Sequence, residues 1–177
     1  QITVPFTRPI DIQSILDGHR DTDYRMDNDV IYLVNVDRNS KKFGKAYHVD
    51  LGNGNYPALL ERGEYWKNDP RGWTASLAFE EADEDINKNG ELDEGEDTDA
   101  DGVLDKPNYL PGKNPSRDDL AARADALMTF YEAETNTLIA RPMEPLDERT
   151  RYAVVVTRRI LDADGEPIGS PFAFVND

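Results

Sequence analysis

Between residues 83 and 108 the oxygen-bearing side chains fall on two copies of one spacing. Count twelve positions from Asp85. Asn87 stands at 3, Asn89 at 5, Gly90 at 6, Glu91 at 7, Leu92 at 8, Asp93 at 9 and Glu96 at 12. Asp97 starts a second frame at once. Asp99 stands at 3, Asp101 at 5, Gly102 at 6, Val103 at 7, Leu104 at 8, Asp105 at 9 and Asn108 at 12. This spacing suits a hard dication that takes about six to eight oxygens at about 2.3–2.6 Å. Side chains at 1, 3 and 5 turn inward from a tight backbone, and the residue at 7 offers its carbonyl. Glycine at 6 allows the sharp bend because it tolerates positive φ.

The pattern is that of the EF-hand calcium loop, so Ca²⁺ is the expected cofactor. Its ligands are Asp85, Asn87, Asn89, Glu91, Asp93 and Glu96 in the first loop. In the second they are Asp97, Asp99, Asp101, Val103, Asp105 and Asn108. Glu96 can close the first site with two oxygens. Asn108 can give only one, and Pro107 precedes it, so the second site is expected to be less regular and weaker. Acidic runs are usually solvated surface. Two in-phase copies, each with glycine at 6 and leucine at 8, argue against that. Leu92 and Leu104 are expected to pack on each other or on the body of the domain.

The net charge is −16. Residues 81–105 hold twelve acids and one base, or −11, so the rest of the chain carries only −5. A nucleic-acid partner needs Lys and Arg against its phosphates, and this balance argues against one. There is no cysteine, hence neither disulfide nor thiolate site. No apolar run reaches membrane-span length. No signal peptide stands at the start, and Gln1 enters directly into a strand-like stretch. The sequence is therefore expected to be a fragment or mature piece of something longer.

Alternating apolar residues place strands at 2–6, with Pro5 marking an edge, and at 30–36 and 45–51. Further strands are expected within 56–66 and at 74–80, 151–160 and 172–175. Residues 127–132 and 137–143 read as a hairpin turning at Glu134-Thr135-Asn136. Ser116 and Asp119 can cap a short helix through Ala126. Residues 9–16 read as loop with one helical turn, and 17–28 as loop. Many short strands with turn signals predict an all-β sandwich of Greek-key type, one domain over 1–177 with the tandem loops inserted between strands. Leu146-x-x-x-Thr150-x-Tyr152 has the form of a tyrosine corner, with the Tyr152 hydroxyl tied to nearby backbone. Alternation through residues 151–157 predicts Tyr152 and Val154 in the core.

Several of these stretches resemble bacterial Ig-like domains of the S-layer type. They are Thr129-Phe130-Tyr131, Asn136-Thr137-Leu138-Ile139, Pro145-Leu146, Thr150-x-Tyr152-x-Val154-Val155-Val156-Thr157 and Asp162-x-Asp164-Gly165-x-Pro167-Ile168. Val4-Pro5-Phe6-Thr7-x-Pro9-Ile10-Asp11 resembles that family's first strand. The chain is also similar to N-terminal domains that precede hydrolase modules in some bacterial surface lipases. The likeness covers roughly the first and last 50 residues and departs at the calcium segment, which resembles thrombospondin type 3 repeats. Paired EF-hands need helices between their loops, whereas these loops abut and Pro107 blocks a helix. The resemblance implies an exported, cell-surface or periplasmic bacterial protein, monomeric, whose partners are neighbouring domains of the same chain.

His19 and His48 lie apart, with no cysteine, and do not form a zinc motif. Neither a Gly-x-Ser-x-Gly elbow nor a phosphate-cradling glycine loop is present. The expected function is therefore a non-enzymatic, calcium-stabilised accessory domain. The alternative is a module that binds a glycan or cell-surface component through Tyr56, Tyr65, Trp66 and Trp73, since exposed aromatics can stack sugar rings. An enzyme in its own right would need a nucleophile that the sequence does not supply.

Overall fold

The structure is a computed structural model and describes residues 1–20, 25–52 and 82–171. The expected strands at 56–66, 74–80 and 172–175, and the four aromatics of the alternative reading, lie outside the described residues. The chain divides into two compact units, one formed by Gln1–Gly54 with Thr135–Asp177 and one by Asn55–Glu134.

In the first unit, β1 (Ile2–Pro5) pairs antiparallel with β6 (Thr137–Pro142), with Val4 opposite Leu138. Among the described strands Pro5 does lie on an edge strand. β2 (Ile31–Asn35) alternates as its sequence requires, with Ile31, Leu33 and Asn35 buried. It is flanked by β3 (Ala46–Tyr47) and β7 (Tyr152–Val156), both antiparallel to it. The expected strand 45–51 is two short pieces. β3 pairs with β2, the chain passes His48, and β4 (Val49–Asp50) pairs with β6 in the other sheet. Antiparallel sheets with two short helices make the described residues an all-β fold.

The helical turn expected within 9–16 is present but runs on to His19, so the loop expected from residue 17 is corrected over 17–19. Asp11 accepts from the Gln13 N–H and starts helix α1 (Ile12–His19), which buries Ile12 and Ile15. Gly18 read as a loop residue. It is there because a Cβ would come within 3.0 Å of a Val30 methyl and 3.2 Å of the Asn28 carbonyl. A close approach, not a turn, selects the glycine.

The burial expected for β7 is also corrected. Val154 is 40% and Val155 44% exposed, and Tyr152 is half-buried. The strand forms because β2 supplies its ladder, and apolar residues there do not require a covering layer. The Tyr152 hydroxyl accepts from the Asp147 N–H at 2.9 Å, the bond of a tyrosine corner. Its ring meets Tyr47 edge-on, with centroids 5.6 Å apart.

In the second unit, helix α2 (Leu120–Ala126) ends where expected, but Asp119 caps it by accepting from the Ala122 N–H. Leu127, Met128, Phe130 and Tyr131 are buried, and β5 (Tyr131–Glu132) follows. In the first unit, Asn136, at φ 51°, stands just before β6.

Candidate metal centre

The two loops of the second unit are built alike. At position 1, Asp85 accepts from the Gly90 N–H at 3.1 Å, and Asp97 accepts from the Gly102 N–H at 3.1 Å. At position 3, Asn87 accepts from the Asn89 N–H at 2.9 Å and Asp99 from the Asp101 N–H at 3.1 Å. At position 5, Asn89 accepts from the Glu91 N–H at 2.8 Å and Asp101 from the Val103 N–H at 2.7 Å. Short side chains with a terminal oxygen are required at 1, 3 and 5 because each must bend back onto the backbone just ahead. Position 4 is left-handed in both copies, with φ 61° at Lys88 and 66° at Ala100. Gly90 and Gly102 follow at 82° and 80°.

The second loop gathers carboxylates. One oxygen each from Asp97, Asp99 and Asp101 lies within 4.8 Å of the others, and the same holds for Glu84, Asp99 and Asp105. Burial foremost, then the charges of Glu134, Glu84, Asp101 and Asp99, push the Asp105 carboxyl up to about 6. Glu84 is fully buried and goes the other way. The Thr98 N–H foremost, and also the Thr98 hydroxyl and Asp105 N–H, hold it below the usual carboxylate range against its burial.

The first loop is drawn together by other means. Amides of Asn87 and Asn89 both donate to one Asp93 oxygen at 2.7 Å. Glu96 is buried, and accepts from the N–H groups of Ile86 and Asn87 through Oε1 and of Asp93 through Oε2. Lys106 stands 3.2 Å from Asp85. The Gly90 N–H foremost, with Lys106, holds the Asp85 carboxyl low against its desolvation.

One expected ligand, Asn108, is bonded outside the loop. Asn108 donates its amide to the carbonyls of Met128 and Tyr131, and its oxygen accepts from the Ala133 N–H at 3.3 Å. Its side chain serves the backbone leading into β5, not the loop. Pro107 just before it has no N–H to extend the second loop's turns. Leu92 and Leu104 are half-buried, while Ile86 and Val103 are exposed. Sequence reasoning missed Glu84, Thr98 and Lys106. A signal for Glu84 was present: a glutamate precedes the first aspartate of both frames, Glu84-Asp85 and Glu96-Asp97.

No family model, curated protein or solved structure matches the chain. Among the described residues, no helix is long and apolar enough to cross a membrane.

Proposed function

We propose that residues 84–105 bind calcium and that the ion is structural, ordering the segment on a non-enzymatic domain. The repetition of the position 1, 3 and 5 hydrogen bonds in both loops, with matching left-handed residues at 4, carries this reading. In the second loop one oxygen each from Asp97, Asp99 and Asp101 lies within 4.8 Å of the others, where a cation replaces mutual repulsion with attraction. The chemistry of the donors fits a hard dication. Asp97, Asp99, Asp101, Asp105 and the Val103 carbonyl would hold it in the second loop. Asp85, Asn87, Asn89, Asp93, Glu96 and the Glu91 carbonyl would hold it in the first. There, the ion displaces the Lys106 ammonium from Asp85.

The domain itself we read as an Ig-like Greek-key sandwich of an exported bacterial protein, spacing or docking a neighbouring module such as a hydrolase. The tyrosine-corner bond of Tyr152 and the passage of the chain between sheets at His48 support the sandwich. Calorimetric titration of the chelator-treated protein with calcium tests the metal reading. A broad esterase screen tests the non-enzymatic one, where turnover abolished by a single substitution would overturn it.

A further inference from the structure

In each loop one buried carboxylate gathers the backbone N–H groups of positions 2 and 9. In the first loop it is Glu96, whose Oε1 accepts from Ile86 and whose Oε2 accepts from Asp93, both at 3.1 Å. In the second it is Glu84, whose Oε1 accepts from Thr98 and whose Oε2 accepts from Asp105 at 3.2 Å. Glu84 does not belong to the second loop. It precedes Asp85, the first residue of the first loop, just as Glu96 precedes Asp97. Each loop is therefore closed by the glutamate that stands immediately before the start of the other. The closure is tight on both sides of Glu84, since its own N–H donates to the Asp105 carbonyl at 3.0 Å.

We propose that Glu84 takes for the second loop the positioning role that Glu96 takes for the first, and that this exchange couples the loops into one unit. The coupling rests on the calcium reading above. An ion drawing Asp97, Asp99, Asp101 and Asp105 inward tightens position 9, hence the hold on Glu84, hence the placement of Asp85. An ion in the first loop reaches Asp97 through Glu96 in the same way. The linkage is reciprocal, because coupling between two sites acts equally in both directions. Neither loop is then a free-standing site, and the second loop, whose position 12 is an asparagine tied elsewhere, is closed from upstream by Glu84.

The test follows two observables in the whole chain. In metal-free protein, amide exchange at Thr98 and Asp105 is expected to be slow and to become fast in Glu84→Gln, which has one acceptor oxygen in place of two. Calcium titration is followed separately at the Gly90 and Gly102 amide resonances. Asp97→Ala, which leaves Glu84 and every first-loop side chain in place, is expected to weaken calcium at the first loop about 5–150-fold, the usual range for coupled sites. Asp97→Ala also keeps the coupling testable if Glu84→Gln fails to fold. First-loop affinity within twofold of the unsubstituted protein overturns the coupling. Unchanged exchange at Thr98 and Asp105 in Glu84→Gln overturns the positioning role. If the unsubstituted protein takes up no calcium, the metal reading falls, and the exchange measurement alone decides the closure.

Discussion

The Gly102 N–H lies 3.1 Å from an Asp97 oxygen, and the whole second loop turns on that bond. Gly90 and Asp85 repeat it at the same distance one loop earlier. Both glycines sit near φ 80°, and an added Cβ would meet nothing within 4 Å at either. Alanine there is penalised only through backbone conformation. Gly90→Ala and Gly102→Ala are each expected to cost about 1–2 kcal/mol, the penalty for an L-residue in the left-handed region. Chemical denaturation of metal-free protein measures it. A neutral result at both positions would mean that the turns are not held in this form.

Asn108 stands at position 12 of the second frame but works elsewhere. Asn108→Ala is expected to leave calcium stoichiometry unchanged. It removes the ties to Met128, Tyr131 and Ala133 and lowers stability by about 1–3 kcal/mol. Loss of a calcium site in this variant, with stability retained, would return Asn108 to the ligand set.

Tyr152 is half-buried, so Tyr152→Ala is expected to cost about 2 kcal/mol, below the range for fully buried aromatics. Tyr152→Phe keeps the edge-on contact with Tyr47 and loses only the bond from Asp147, about 1 kcal/mol. Urea unfolding separates the two. Equal losses would mean that the ring contributes nothing.

Asp105 supplies a pH dependence. Its folded carboxyl titrates at about 6, against an ordinary value of 3.8. A raised acid gives stability that is present below its unfolded value and lost as pH rises through the folded one. Glu84 and Asp85 are shifted downward, so their contributions are lost only at lower pH, below their ordinary 4.5 and 3.8. Metal-free protein is therefore expected to gain stability from pH 7 to about pH 5, and Asp105→Asn to flatten that gain. Urea midpoints at the two pH values check it. A midpoint that falls on acidification contradicts the assignment.

The strands and the loops were legible for different reasons. β2 and β6 follow from alternation, because each buries one face: Ile31, Leu33 and Asn35 on one, Leu138 and Ala140 on the other. The turns of the calcium segment follow from spacing, because Asp, Asn and Gly act on backbone two to five residues ahead. What stayed hidden is long-range. Glu84 bonds residues 14 and 21 positions away, and Asn108 residues 20 to 25 away. The reason for Gly18 lies across the fold at Val30. Val154 read as core because hydrophobicity marks what a strand is made of, not which of its faces is covered.

Single-loop variants weigh the ligand assignment. Asp85→Ala and Asp97→Ala are each expected to abolish calcium binding in their own loop, with the other loop binding more weakly in calorimetric titration. Magnesium is expected to substitute poorly, since it demands a smaller octahedral shell. Retention of both sites in either variant would place the ions elsewhere.

Thermal unfolding in chelator against millimolar calcium, read with calorimetric titration of the same sample, tests the central claim most directly. Extracellular modules bind at about 10⁻⁴–10⁻³ M. A site filled at ten to a hundred times its dissociation constant adds about 1.4–2.7 kcal/mol. The account predicts a midpoint that rises with calcium, measurable binding heat and little change in the far-UV spectrum. An unchanged midpoint with no binding heat would make residues 83–108 a solvated acidic loop, and new helix on calcium addition would make them a switch.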